Sequence, residues 1–178
     1  MYHFSNPHIS IAIVEDIPAF VALLNSAYRG ESSKQGWTNE VHLIEGNVRI
    51  DEVSMKLNWQ QNENVFLKYT NKDKEIIGCV NLQKMDNAIY LGLFSVSPLV
   101  QNKGIGKQIL VAAEEYAKQL KCSSINMTVI SARTELIDWY KRNGYIDTGI
   151  KKPFLEDGIA GKHLQPLEFM VLEKQMIR

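Results

Sequence analysis

The chain has 178 residues, 45% of them apolar and 22% charged, and its 20 Lys and Arg balance its 20 Asp and Glu. That is ordinary globular composition and enough length for one core, so a single domain over residues 1–178 is expected. The missing basic excess argues against a general nucleic-acid binder, and no apolar run reaches the roughly 18 residues of a membrane span. The opening MYHFSNPHIS has neither the basic nor the apolar region of a signal peptide. Cys79 and Cys122 sit in apolar surroundings without CxxC spacing, which points to buried thiols in a reducing cytoplasm.

In chain order, His8 to Val14 alternates and reads as an opening strand. Glu15, Asp16 and Pro18 suit a helix start, with Ile17, Phe20, Val21 and Leu24 on one face. Tyr28 to Gly36 reads as a polar loop; Thr38 is placed to cap a short helix ending near Gly46, and Asp51 another. Residues 65–69, 76–82 and 88–96 read as three consecutive strands. A helix over 104–120, a strand near 124–130, a helix near 134–143 and strands at 145–150 and 167–173 follow. This order predicts an α/β domain: one mixed sheet with helices on both faces.

The informative stretch is YLGLFSVSPLVQNKGIGKQILVAAEEYAKQL. A strand ends at Val96, a turn carries Gln101, Asn102 and Lys103, and Gly104 and Gly106 open a helix whose apolar face includes Ile105 and Ile109. Amides at a helix start lack intrahelical acceptors and the helix dipole adds partial positive charge. Glycines admit a phosphate close to the backbone, and Lys103 and Lys107 add cations, so a diphosphate is the expected occupant. Two rival phosphate loops fail on residues: GxGxxG needs glycine where Ile109 stands, and GxxxxGK[ST] needs glycine at Gln101 and Ser or Thr at Gln108.

QNKGIG after a strand ending VSP resembles the Q/R-x-x-G-x-G/A signature of the Gcn5-related N-acetyltransferases (GNAT). ELIDWYKRNGY resembles that family's closing motif, and the two lie one strand apart. The resemblance implies a twisted, mostly antiparallel central sheet and acetyl-CoA as cosubstrate, with no metal. It implies cofactor contacts at Phe94, Ser95, Val96, Gln101, Asn102, Lys103, Gly104, Ile105, Gly106 and Lys107. Arg133 stands where the family often has asparagine, and would reach a phosphate. Catalysis would fall to the Val96 amide, steadying an oxyanion for about 2.7–4 kcal/mol, and to Tyr140, protonating the departing thiolate. As packing alone, Tyr140 reads as an amphipathic-helix tyrosine beside Leu136 and Ile137.

Many members carry a glutamate on the strand before the glycine loop as base; AIYLGLFSV has none, and Tyr90 occupies that region. Glu31 and Glu40 are alternative bases. The acceptor side is expected to include Tyr28, Glu31, Trp37 and Tyr90, with Trp37 either flooring a pocket or anchoring its loop. Residues 1–60 hold seven acidic against four basic residues, which favours a cationic amine acceptor. The expected partner is a small-molecule or peptide amine, not nucleic acid or membrane, with the protein a monomer or homodimer. The competing reading is a non-catalytic acyl-CoA-binding sensor.

Overall fold

The computed structural model describes residues 2–177. Its strands are β1 (Ile9–Ile11), β2 (Ile44–Glu45), β3 (Asn64–Thr70), β4 (Ile76–Met85), β5 (Ala88–Val96), β6 (Ser124–Ile130), β7 (Ile146–Phe154), β8 (Lys162–His163) and β9 (Leu167–Gln175). Its helices are α1 (Ile17–Tyr28), α2 (Gly30–Ser33), α3 (Glu52–Trp59), α4 (Ile105–Gln119) and α5 (Thr134–Arg142). Seven strands form one sheet in the order β1-β3-β4-β5-β6-β9-β7, and β2 pairs with β8 in a separate ribbon. Every pairing in the large sheet is antiparallel except β5 with β6.

Strand alternation sorts the side chains onto two cores. On one face Leu67, Tyr69, Val80 and Leu82 pack against Ile109, Ala113 and Tyr116 of α4 and Ile137 and Tyr140 of α5. On the other, Phe66 and Cys79 meet Phe20 and Leu24 of α1 and Met55 of α3. Each such aliphatic side chain, fully buried, is worth about 1.5–3 kcal/mol. Asp51 caps α3 by accepting from the Ser54 amide at 2.7 Å, as its position in the sequence predicts.

The sequence reading needs correction near the N-terminus. The opening strand is only three residues long, because Val14–Asp16 turns into a 3-10 helix that leads into α1. Gly30–Ser33 forms a single helical turn inside the expected loop. Thr38 caps no helix; its hydroxyl instead accepts from Gln101 Nε2 at 2.9 Å, and the segment continues to β2.

One irregularity positions the site. Opposite β4, the register passes from Asn81↔Gly92 to Cys79↔Ser95, so Leu93 and Phe94 together face Val80. Leu93 takes φ +44°, a left-handed conformation rare for a bulky residue and costing of order 1–3 kcal/mol. This bulge bends β5. It pairs with β6 only over Ala88–Tyr90 with Ser124–Asn126, and beyond Tyr90 the two parallel strands separate.

Candidate active site

The gap between β5 and β6 exposes backbone. The Ser97 amide donates to Ile77 O at 2.8 Å, toward β4. Strand alternation therefore turns the Val96 amide the other way, into the gap. The Phe94 carbonyl also faces the gap, where it accepts from the Tyr28 hydroxyl.

Next to this edge, Gly104 caps α4 with φ +77°. A Cβ there would meet nothing within 4 Å, so backbone conformation rather than crowding calls for glycine. The first helical amide bond is Gln108 N–H to Gly104 O at 3.1 Å. The amides of residues 102–107 have no hydrogen-bond acceptor among the described residues. They open onto a cleft of about 540 Å³, lined from β5 by Phe94, Ser95 and Val96 and from the turn and α4 by Gln101, Asn102, Gly104, Ile105, Gly106 and Lys107. The opposite wall belongs to α5, whose Glu135, Leu136, Trp139, Tyr140 and Asn143 share one helical face. Arg142 adds a second cation to the lining beside Lys107.

A smaller cavity, about 90 Å³, lies where β5 and β6 part; Gly92, Leu93, Met127 and Thr128 form its strand walls, with Glu40 and Arg49 on its rim. Tyr28, Phe94, Leu136 and Tyr140 line both spaces, so Tyr140 stands at their junction. Its ring sits edge-on to Trp139 and Tyr145, at centroid distances of 5.1 and 5.7 Å. Burial, reinforced by Tyr28 and Tyr145, pushes its phenol well above the ordinary value near 10, so it stays protonated at neutral pH. Burial, assisted by the charge of Glu40, also pushes Tyr28 up to about 12.

Several residues chosen from the sequence lie elsewhere or act differently. The Arg133 side chain is fully buried, donating to Glu135 at 2.6 Å and to the carbonyls of Thr38 and Trp37 at 3.0 and 3.3 Å. It borders the smaller cavity and is committed to the loop, which leaves it none of the phosphate reach expected of it. Gln101 points its side chain inward, to Trp37 N, Thr38 Oγ1 and Val96 O, and offers the cleft only its backbone and stem. Lys103 is exposed and not part of the lining.

On the acceptor side, Glu31 is exposed and pairs with Lys34, away from both cavities. Tyr90 bonds Thr128 Oγ1 at 2.9 Å behind the wall. Trp37 sits in the larger cleft against Trp139, at a 6.1 Å centroid distance, rather than in the smaller cavity. Tyr28 does line the smaller cavity, and so does Glu40. Sequence reasoning missed Trp139, Arg142, Asn143 and Arg49. The first three lie within three residues of Tyr140, on or just after α5, whereas Arg49 carried no local signal.

Residues 33–145 match the family model described as "Acetyltransferase (GNAT) family". A Bacillus subtilis (strain 168) protein, YdhI, described as uncharacterized, is 32% identical over 77 residues; the match spans 42% of this chain and 46% of that protein. The chain thus spans about half the length of that curated relative. Among solved structures, the ribosomal-protein-S18-alanine N-acetyltransferase from Escherichia coli superposes with a TM-score of 0.69 at 13% identity, covering 96% of this chain and 94% of that one. A phosphinothricin acetyltransferase from Sinorhizobium meliloti, solved in complex with AcCoA, gives a TM-score of 0.69 at 14% identity, covering 94% and 87%. At these identities the two structures establish a common fold.

Proposed function

The chain belongs to the acetyltransferase (GNAT) family and is an acyltransferase enzyme; from that premise we propose that it transfers an acetyl group from acetyl-CoA to a primary amine by direct attack in a ternary complex. The observation that carries this reading is the confluence of the β5 edge, the unpaired amides at the start of α4 and the Tyr140 phenol in one cleft that continues into a second cavity. The diphosphate would meet the amides of 102–107, with Lys107 and Arg142 as nearby cations. The pantetheine arm would run along Phe94–Val96 as an added strand partner, and the amine would enter through the smaller cavity.

In the reaction the amine nitrogen attacks the thioester carbonyl carbon. The carbonyl oxygen gains negative charge near the Val96 amide, and the carbon–sulfur bond breaks. Tyr140 gives its proton to the departing thiolate and is reprotonated from solvent. The amine loses its proton to water, since the one carboxylate lining the smaller cavity, Glu40, is held by Arg29 at 2.5 Å and Arg133 at 3.7 Å. Holding both reactants in one geometry supplies much of the rate gain. Cys79 and Cys122 are free buried thiols, which supports the expectation of a reducing compartment.

Calorimetry with coenzyme A and a thiol-release assay with acetyl-CoA test the proposal across amino acids, polyamines, aminoglycosides and peptide N-termini. Saturable heat and acceptor-dependent thiol release are expected. No heat with coenzyme A at millimolar concentration would overturn it.

A further inference from the structure

The charges around the smaller cavity do not balance. Arg29 is matched by Glu40 at 2.5 Å, and Arg133 by Glu135 at 2.6 Å. Arg49, which lines the same cavity, has no carboxylate within ion-pair distance among the described residues. Asp157 is near enough to feel the Arg49 charge, but its carboxylate accepts from the amides of Ile159 and Ala160 at 2.8 and 2.7 Å. Arg49 is half-buried, and an unmatched guanidinium lining a cavity offers its planar fork of donors to an incoming anion.

Arg49 is also a positioned residue, not one on a loose loop. Its amide donates to Asn25 Oδ1 at 2.6 Å, the Ile50 amide shares that oxygen at 3.1 Å, and Asn25 Nδ2 returns a bond to Ile50 O at 3.1 Å. These three bonds fasten the segment to α1. The guanidinium lies over the ring of Tyr28, 6.0 Å from its centroid, while the hydroxyl of that ring reaches Phe94 O at the reacting end of β5. One tyrosine thus touches both the cation and the β5 edge where the proposed attack would occur.

The acidic excess of residues 1–60 pointed toward a cationic acceptor, but its one member at the cavity, Glu40, is held by Arg29 and Arg133, and others act elsewhere. Asp16 pairs with Lys68, Glu31 with Lys34 and Glu52 with Lys56, while Asp51 caps α3. At the cavity itself the unpaired charge is positive.

We propose that Arg49 is the specificity-determining residue of the acceptor cavity, and that the acceptor is a small amine bearing a carboxylate or comparable anion, as in an amino acid. The inference rests on the acetyl-transfer reading and names the substrate class for it. The amine is directed to the Tyr140 end and the anion to Arg49.

The test compares β-alanine with β-alaninamide, and glutamate with spermidine, in the acetyl-CoA thiol-release assay, using the wild-type chain, Arg49→Gln and Arg49→Lys. Wild type should favour each acidic amine at least tenfold in kcat/KM, mainly through KM. Arg49→Gln should erase that preference and Arg49→Lys should keep part of it. Coenzyme A affinity should be unchanged in both variants, since Arg49 does not line the larger cleft. Equal wild-type rates on the acid and its amide, or an equal loss on both in Arg49→Gln, would overturn the inference alone. Coenzyme A binding without transfer to any amine would overturn the acetyl-transfer reading together with it.

Discussion

Replacing Tyr140 with Phe isolates one proton. The ring environment would survive, because the edge-on contacts with Trp139 and Tyr145 and the 6.3 Å neighbour Phe94 involve ring carbons. The phenol lines both cavities, and burial and neighbouring tyrosines rather than a hydrogen bond set its acidity, so removing the hydroxyl should change stability by less than about 1 kcal/mol. Under the proposed mechanism, what is lost is the general acid for the departing thiolate, an effect of about 10²–10⁴-fold on rate. At 1.36 kcal/mol per decade that is roughly 2.7–5.4 kcal/mol of barrier, several times the stability change. Steady-state thiol release should therefore show kcat down at least a hundredfold, with coenzyme A affinity by calorimetry and thermal midpoint both near wild type. A Phe variant keeping kcat within threefold of wild type would refute the acid role. A loss of affinity equal to the loss of rate would instead mean that the hydroxyl merely helps to hold the cofactor.

Gly106→Ala should separate binding from folding. An added Cβ would sit 3.4–3.5 Å from Trp139 and Phe94, ordinary contact, and alanine is a better helix former by up to about 1 kcal/mol, so the thermal midpoint should hold or rise. The same methyl meets two residues that line the larger cleft and, if the diphosphate binds there as proposed, should weaken coenzyme A at least tenfold by calorimetry. Arg133→Gln should do the reverse: losing a buried guanidinium that pairs with half-exposed Glu135 and leaving two loop carbonyls without their donors costs about 1–3 kcal/mol, measured by denaturant unfolding, with coenzyme A affinity in the surviving folded fraction changed less than threefold. Stability should also fall steeply in base. Burial pushes Tyr28 and Cys79 each up to about 12 and raises Tyr116, Tyr140, Tyr145 and Cys122, so the unfolded chain sheds these protons first. With the unfolded state binding fewer protons, stability decreases as pH rises from about 9 through 12. Urea titrations across that range should show it, and a stability that is flat to pH 12 would contradict the burial of these groups.

The parts of the chain read correctly from sequence are those governed by local rules. Helix α4 and strand β6 lie within a residue of expectation because their apolar period and glycine punctuation are contained in the segment itself. Gly104 and Gly106 were legible as punctuation of a helix start for the same reason. Arg133 was misread because its fate depends on loop carbonyls 95 and 96 residues away in sequence. Trp37 lines the larger cleft and Tyr90 neither cavity, placements set by how the loop packs on α5 and by where β5 and β6 separate. Nothing in AIYLGLFSV announces that Leu93 turns left-handed, because leucine carries no propensity for that conformation. The β2–β8 ribbon, two residues per strand, is too short for any periodic signal.

That bulge at Leu93 links the fold to the chemistry. A regular β5 would continue its ladder with β6, satisfy the Val96 amide with a neighbouring carbonyl and close the space now lined by Gly92, Met127 and Thr128. Instead the backbone accepts strain at one residue and leaves strand-edge groups without strand partners. Buried polar groups left unpaired cost about 1–3 kcal/mol each, so such groups are stable only if water or a ligand completes them. Three unsatisfied sets converge here: the β5 edge, the α4 amides and the Arg49 guanidinium. Their convergence on two adjoining cavities is better explained by two incoming molecules than by packing. A thioester with its diphosphate would complete the first two sets, and an anionic amine the third.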